Sequence, residues 1–366
     1  MQLVFAFFIA STIIQLCYYL FIFSRFSSFN TTKKEYSNIP ISVLICARNE
    51  SENLKQFIPK ILQQNYLDFE IVLINDRSYD DSLEIMESFK EKYPSKIKIV
   101  NVVETKRGGS KKYALSLGIK ASTHEHLLFT DADCTPNSDN WIRGMSQQFT
   151  ANKSIVLGYG GYRSIKNSWL NKLIRFETLM TALQYTSYAN IGLPYMGVGR
   201  NLAYTKSMFF DNNGFANHLH LKSGDDDLFV NQNATKENCA ISLHPDSFTI
   251  SEPKTTFKDW IHQKRRHVST ANHYKPIHQF LLGLYFCSQL FFWILAIFLL
   301  SFGFQWEIVL GLFLVRIAIQ YSIISATAKK LNGKRLVLWA PFLEIFLVLT
   351  QMFIFIKNLV SKPKHW

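Results

Sequence analysis

Two aspartates separated by one residue, Asp131 and Asp133, follow the apolar segment HLLFT. Two carboxylates at the end of a strand can hold a divalent cation such as Mg²⁺ or Mn²⁺ through oxygen ligands, and the cation can bridge the phosphates of a nucleotide diphosphate. The alternative is a solvated acidic turn, because an Asp-x-Asp pair alone is common. The spacing therefore makes Asp131 and Asp133 candidate metal ligands.

A second acidic group, Asp225-Asp226-Asp227, follows Ser223 and Gly224. Three adjacent carboxylates repel one another, which raises the pKa of one of them, and a carboxylate with a raised pKa is suited to act as a general base. The alternative is a solvated loop that starts a helix, where acidic residues are favoured. The group is thus a candidate source of the base in a transfer reaction.

Polar side chains also follow two other apolar segments of the chain. Asp76, at the end of FEIVLIND, can accept hydrogen bonds from a ribose or a base, and Arg48 and Glu50 can contact a nucleotide. The alternatives are local. Asp76 would form an Asx turn or cap the next helix, and Asn49 or Ser51 would cap the helix that follows them.

A basic stretch spans residues 263–267 and follows Trp260. Arginines such as Arg265 and Arg266 pair well with phosphate oxygens through their fork of donors. The alternative is a basic segment that precedes a membrane helix and is attracted to anionic lipid.

Short apolar strands alternate with amphipathic helices in the first third of the chain. Such alternation predicts an α/β fold with a parallel sheet covered on both faces, which binds ligands at the carboxyl ends of its strands. The predicted strands are 41–47, 69–76, 96–103 and 126–134, and the predicted helices are 49–64, 82–93, 111–121 and 170–189.

The two ends of the chain are apolar enough to enter a bilayer. Residues 1–23 predict an uncleaved transmembrane anchor, since they lack a basic n-region and a clear cleavage site. Three further segments, at 280–303, 307–327 and 336–356, are also long enough to span. Charged residues within the last two indicate burial against protein or an interfacial position.

The net charge of +13 comes largely from basic residues beside these apolar segments, which fits the positive-inside rule better than a nucleic-acid groove. Four full crossings would place Lys357, Lys362 and Lys364 outside, against that rule, so the sequence leaves the path of the last segment open. The five scattered cysteines argue against a disulfide framework or a zinc site and indicate a reducing compartment.

Taken together and in order, seven motifs over about residues 41–268 make the chain resemble the large inverting family 2 glycosyltransferases, which have a GT-A fold. The motifs are ISVLICARNESENL, EIVLINDRSYDDS, GGSKKYALSLGI, LLFTDADCTP, GVGRNLAYTKSMF, SGDDDLF and HQKRRH.

The resemblance implies roles for residues that are individually ambiguous. It implies a nucleotide site lined by Arg48, Glu50, Asp76 and Lys111. By the same resemblance Asp131 and Asp133 form the D-x-D pair, and Gln263 and Arg266 match the Q-x-x-R-W box. Anchoring the base motif on Ser223-Gly224 makes Asp226 the base, and anchoring it on Leu228 makes it Asp225; the first is preferred.

One departure concerns the last motif. The tryptophan of the Q-x-x-R-W box is His267 in this chain. In processive synthases that ring stacks on the acceptor sugar, so its replacement puts processive synthesis in doubt.

We therefore expect a membrane-bound glycosyltransferase that moves a sugar from a nucleotide-diphosphate sugar to a hydroxyl of a lipid-linked or glycan acceptor. Asp131 and Asp133 would hold a divalent cation (Mg²⁺ or Mn²⁺), Arg265 and Arg266 would stabilise the leaving diphosphate, and inversion is what the resemblance implies. The alternatives are a processive polysaccharide synthase and an inactive nucleotide-binding membrane scaffold. No nucleic-acid partner is expected.

The expected organisation has three parts: a transmembrane anchor at 1–25, a GT-A catalytic domain at 38–275 and membrane segments at 278–358. The basic flanks favour the bacterial inner membrane with the catalytic domain on the cytoplasmic side, where nucleotide sugars are found.

Overall fold

A computed structural model describes residues 1–29, 38–103, 110–221 and 223–361. Structural statements below concern these residues. Lys362 and Lys364, the Gly108-Gly109 pair and most of the linker predicted at 30–40 lie outside them.

The catalytic part of the chain is built on a seven-stranded sheet with the order β3-β2-β1-β4-β8-β6-β9. A smaller sheet has the order β5-β10-β7. The strands are β1 Ile41–Ala47, β2 Phe69–Asp76, β3 Ile97–Val102, β4 His126–Asp131, β5 Cys134–Pro136, β6 Ile155–Leu157, β7 Gly160–Tyr162, β8 Leu202–Thr205, β9 Cys239–Ile241 and β10 Thr249–Ser251.

The α/β fold is confirmed, and the sheet is mixed rather than wholly parallel. Strands β1 to β4 run parallel, but β8 pairs antiparallel with both β4 and β6. Two of the four predicted strands, 41–47 and 69–76, have the expected bounds, and the other two end within three residues of theirs. The antiparallel strand comes from the stretch beyond residue 160, where the apolar pattern is too short to define strands.

Thirteen α-helices accompany the strands in the described residues. They are α1 Gln2–Cys17, α2 Ser24–Ser28, α3 Ser51–Leu62, α4 Ser82–Lys92, α5 Lys111–Ala121, α6 Trp141–Ser146, α7 Trp169–Asn190, α8 Lys206–Asp211, α9 Asp227–Asn233, α10 Phe257–Val268, α11 Pro276–Ser301, α12 Trp306–Lys330 and α13 Ala340–Val360. A π-helical segment, Tyr18–Phe23, joins α1 to α2 without a break.

Alternation along β1 sends its side chains to the two faces of the sheet, as a pleated strand requires. Val43 and Ile45 pack with α3 residues such as Leu54, whereas Leu44 packs on the opposite face in a larger core. This larger core runs without interruption into the apolar helices, where it includes Tyr19 and Ile324. The catalytic part and the membrane-helix part therefore share one core.

Four helices are long and apolar enough to cross a membrane by length and composition: Gln2–Ser27, Pro276–Ser301, Trp306–Lys330 and Lys334–Val360. These bounds differ from those of the sequence-predicted segments by one to four residues at each end.

A bidentate ion pair buried among these helices joins α12 to α13. Arg316 donates to both carboxylate oxygens of Glu344, at 2.6 and 2.9 Å, and the two side chains are 0% and 1% exposed. Amides from three helices complete the network: Gln15 and Gln320 accept from Arg316, and Gln289 donates to Glu344. The charges are tolerated in an apolar setting because each is paired and hydrogen-bonded.

Removing one charge of this pair should destabilise the protein strongly, because the other charge is left buried and unpaired. We expect Arg316→Gln and Glu344→Gln each to cost about 3–5 kcal/mol, seen as a lower midpoint of thermal unfolding in detergent. The double variant, which buries no charge, is the matched control and should be more stable than the sum of the two single changes implies. Additive losses would mean that the two side chains do not interact.

Candidate active site

The loops after β1 and β2 are joined to each other by hydrogen bonds. The Asp80 carboxylate accepts from the backbone N–H groups of Ser51 and Ser82, both at 3.1 Å, and so caps α3 from another loop. Asn49, at a φ of 57°, accepts from the backbone N–H of Tyr79 at 2.8 Å. Neither Asn49 nor Ser51 caps α3 with its own side chain. The capping role of Asp80 was not predicted from the sequence.

The three predicted nucleotide contacts at this edge have different surroundings. Asp76 is buried at the end of β2 and pairs with Arg77 at 2.7 Å, so it does not cap α4. Arg48 is exposed at the end of β1. Burial raises the pKa of Glu50, and the charges of Asp133 and Asp131 raise it further, which places Glu50 beside the D-x-D pair.

The D-x-D pair lies where β4 ends. Oxygen atoms of Asp131 and Asp133 and the sulfur of Cys134 all lie within 4.8 Å of one another. Burial and then the neighbouring Asp131 charge raise the pKa of Asp133. Burial raises the pKa of the Cys134 thiol well above its usual value, so the carboxylates are the ligands available to a cation. An oxygen set of this kind fits Mg²⁺ or Mn²⁺.

Lys111 connects the D-x-D pair to the second acidic group. It is the first residue of α5, which Ser110 caps, and its ammonium lies 2.9 Å from Asp131 and 3.1 Å from Asp225. Burial lowers the pKa of Lys111, but the two carboxylates outweigh burial and raise it well above its usual value. Lys111 therefore carries a permanent positive charge between the two acidic groups.

The three consecutive acids have three different environments. Gly224, which precedes them, has a φ of +101°, a backbone conformation that strains other residues. Burial raises the pKa of Asp225, but Lys111 more than offsets it, so the net shift is downward. Because Asp225, Asp226 and Asp227 contact different partners, their side chains point in different directions from this turn.

Asp227 is held within the protein core. Its carboxylate accepts hydrogen bonds from the hydroxyls of Thr270 and Tyr274 and from the backbone N–H of Leu228. These contacts join the start of α9 to the segment that leads into α11. Asp227 is therefore a structural acid.

Asp226 faces the cavity between β1, β4, β8 and α5, which Lys111, Asp131 and Asp225 also line. Its two oxygens accept from the backbone N–H groups of Gly199, at 2.7 Å, and Asp227, at 2.8 Å. Burial and then the charges of Asp225 and Asp227 raise the pKa of Asp226 to about 7. A carboxylate with this pKa can take up a proton near neutral pH.

The arginines of α10 point in different directions, and the expectation that Arg265 contacts a diphosphate is corrected. Arg265 is buried against the end of α13, where it donates to Asn358 at 2.8 Å and to Ser361. Burial lowers the pKa of Arg266, and the charges of Asp225 and Asp131 partly oppose this, so Arg266 faces the acids. Gln263 is half-buried on the same helix.

Residues 42–210 match the family described as Glycosyl transferase family 2. This chain carries a family 2 glycosyltransferase domain. The match includes Asp76, Lys111 and the D-x-D pair and ends before the 225–227 acids and α10.

Curated relatives of the glycosyltransferase domain come from bacteria and archaea. A poly-β-1,6-N-acetyl-D-glucosamine synthase of Staphylococcus epidermidis is 35% identical over 124 residues, which is 33% of this chain and 29% of that protein. The glycosyltransferase AglE of Haloferax volcanii is 27% identical over 199 residues, 52% of this chain and 60% of that one. The chain thus spans less than a third of the synthase it matches.

Among solved structures, the fold of the whole chain is similar to that of a mannosyltransferase from Pyrobaculum calidifontis, determined with GDP-mannose and Mn²⁺. The TM-score is 0.59 at 16% identity, covering 89% of this chain and 98% of that one. At this identity the similarity supports the GT-A fold alone.

Three cations of the glycosyltransferase site were not predicted from the sequence. Arg200, within the GVGRN motif, stacks on Tyr162 at 4.4 Å, and its positive charge partly offsets the rise in the pKa of Asp133, as does that of Lys254. Lys112 is buried and donates to the backbone oxygens of His218 and Leu221, which fixes the loop before the acids. Arg200 and Lys112 lie within motifs quoted above, and no local pattern marks Lys254.

If Asp227 is structural, removing one of its donors should affect stability and leave nucleotide binding unchanged. We expect Tyr274→Phe to lower the free energy of unfolding by about 1.5–3 kcal/mol, since the lost bond is to a buried carboxylate. Thermal unfolding and calorimetric titration with nucleoside diphosphates measure the two effects. Unchanged stability combined with a large loss of turnover would instead assign Asp227 to the chemistry.

Proposed function

We propose that the chain transfers a sugar from a nucleotide-diphosphate sugar to a hydroxyl of a lipid-linked or glycan acceptor by a single inverting displacement. The observation that carries this proposal is the position of Lys111 between Asp131 and Asp225. The Lys111 ammonium group contacts the Asp131 carboxylate, beside which a diphosphate would bind. It also contacts the 225–227 group, which would supply the general base. Donor and acceptor chemistry would therefore meet in one cavity.

On the donor side, Asp131 and Asp133 would hold a divalent cation. One Asp131 oxygen accepts a hydrogen bond from Lys111. Burial and the Asp131 charge raise the pKa of the Asp133 carboxylate. A bound cation would relieve the repulsion between the two carboxylates. When bound, the cation supplies charge neutralisation for the diphosphate. Glu50, Asp76 and Arg48 would line the nucleotide end of the site.

On the acceptor side, Asp226 is the proposed base. Its carboxylate would take the proton of the acceptor hydroxyl, whose oxygen forms the new bond to the anomeric carbon as the bond to the diphosphate oxygen breaks. Asp225 is committed to Lys111, and Asp227 to Thr270 and Tyr274, so Asp226 is the acid left for this role.

Positive charge around the leaving group would come from several elements. Arg266 on α10 faces the acids, and Arg200 and Lys254 lie beside the D-x-D pair. Arginine and lysine in these positions would stabilise the departing diphosphate. Gln263, one turn before Arg266, would contact the acceptor or the donor.

The proposed location is a membrane, with the catalytic domain at 38–275 on the cytoplasmic side. The long apolar helices and the basic residues near their ends support it. A bacterial inner membrane is the location that best fits the relatives and the need for cytoplasmic nucleotide sugars.

A processive polysaccharide synthase is the second candidate. The similarity to the Staphylococcus epidermidis poly-β-1,6-N-acetyl-D-glucosamine synthase favours it, although that match covers only 124 residues. His267 is exposed on α10 at the position where the Q-x-x-R-W box has tryptophan. Because processive synthases stack that tryptophan on the acceptor sugar, its replacement argues for the addition of one sugar or a few rather than a polymer.

Incubation of the purified membrane protein with a panel of nucleotide sugars and a membrane-extract acceptor tests the proposed activity. Release of nucleoside diphosphate with one donor, together with a product extended by one sugar, is the expected result. Long polymers would favour the synthase. Nucleotide binding without turnover of any donor would favour an inactive scaffold.

Changing the base should remove the chemical step while preserving donor binding. We expect Asp226→Asn to reduce kcat by about 10²- to 10⁴-fold with little change in the dissociation constant of the nucleoside diphosphate. Asp225→Asn is the matched control and should alter donor binding more than rate. Wild-type turnover in both variants would contradict the mechanism.

The pH dependence provides a separate test of the base. A base must be deprotonated, so kcat/KM should fall about tenfold per pH unit below a pKa of about 7 and level off above it. Because the Asp225 charge raises the pKa of Asp226, the acid limb of Asp225→Asn should move to lower pH. An acid limb that stays in place, or moves to higher pH, would contradict the proposed electrostatics.

Activity should also depend on a divalent cation. Chelation by EDTA should abolish transfer, and added Mg²⁺ or Mn²⁺ should restore it, because two carboxylates beside a diphosphate need a neutralising charge. Asp133→Ala should lose donor turnover and keep its unfolding midpoint. Full activity in EDTA would contradict the metal role.

A further inference from the structure

Helix α13 contacts the catalytic domain near its beginning, its middle and its end. Trp339, just before the helix, packs edge-on against Trp169 of α7 with ring centroids 5.8 Å apart. Phe346 lies 6.2 Å from the ring of Phe257 on α10. At the far end, Asn358 exchanges two hydrogen bonds with Arg265. A helix of 21 residues extends about 30 Å, so these contacts follow its whole length.

The opposite end of the helix bundle is built without α13. There a separate apolar cluster is formed by Phe8 of α1, by Phe292, Ala296 and Leu299 of α11, and by Val309 of α12. Among the described residues, none of α13 joins that cluster, and its buried residues Leu343 and Leu347 belong to the core shared with the catalytic domain. The helix thus does not reach that far end, and it pairs through Glu344 with Arg316 of α12.

The outer face of α13 is apolar along its length. A stripe of exposed side chains lies along it at helical spacing: Phe342, Leu349, Phe353, Ile356 and Val360. Helices α11 and α12 also expose apolar side chains, such as Phe298 and Leu314, and they are long and apolar enough to span a bilayer. The hydrocarbon of the bilayer is the partner that fits such a face.

We propose that α13 does not cross the membrane. It lies embedded beneath the catalytic domain, with its inner face on α7 and α10 and its outer face in lipid, so the chain crosses three times and ends on the side of the catalytic domain. This path also puts Lys357, near the end of α13, on the same side as the other basic flanks, which four crossings would not.

The arrangement gives Arg265 a function. Its guanidinium fixes α10 to the end of α13, and the neighbouring Arg266 then faces Asp225 and Asp131. Arg265 is a positioning residue through which the embedded helix sets the orientation of α10.

Cysteine labelling of the full chain in intact and permeabilised bacterial cells tests the proposal. A membrane-impermeant maleimide is applied to three variants: L67C on the catalytic domain, F302C in the loop between α11 and α12, and a cysteine appended after Trp366. Leu67 and Phe302 are 81% and 67% exposed. The parent chain with its native cysteines is the blank, and detergent-solubilised protein shows that each site reacts.

The appended cysteine should react from the same side as L67C and opposite to F302C, whichever way the protein is oriented. Reaction from the side of F302C would overturn the proposal. A second measurement uses a short bismaleimide in native membranes, which should join F257C to F346C and not F257C to F302C. Absence of the first cross-link would also overturn it. Both readouts are independent of glycosyl transfer, so they stand or fall separately from the proposed function.

Discussion

The ion bridge from Lys111 to Asp131 and Asp225 is the interaction on which the site depends. Three carboxylates, those of Asp131, Asp225 and Asp226, line one cavity, and without a fixed cation their mutual repulsion would push them apart or into solvent. Lys111 can fill this position because it begins α5 at the carboxyl edge of the sheet, next to the end of β4. The same bridge separates the roles of neighbouring acids, since it lowers the pKa of Asp225 while burial and like charge raise that of Asp226.

The site is also tied to the long apolar helices through continuous packing. Asp227 accepts hydrogen bonds from Thr270 and Tyr274, just before α11 begins. Arg265 of α10 donates a hydrogen bond to Asn358 of α13 and so holds the two helices together. The Arg316–Glu344 pair in turn holds α13 to α12. One apolar core extends from the sheet to these helices.

Much of this organisation can be predicted from the sequence because it is local. Short continuous apolar runs define β1 to β4 and the 3.6-residue period defines α3 to α5, and the polar residues that follow those strands must share one sheet edge. Long-range contacts cannot be read in the same way. Asp80 caps a helix some thirty positions earlier in the chain. Arg265 and Arg266 are adjacent in sequence yet face opposite partners, since successive residues of a helix point about 100° apart. The strand β8 is four residues long, too short to show a period.

The most direct test of this account is a double-mutant cycle on Lys111 and Asp225, with kcat/KM for the nucleotide-sugar donor as the measured quantity. Lys111→Met and Asp225→Asn remove the same ion pair from its two ends. If the bridge organises the site, their effects should be strongly non-additive, with a coupling energy of about 1.5–3 kcal/mol. Effects that add to within about 0.5 kcal/mol would show that the two residues act independently, and would contradict the account.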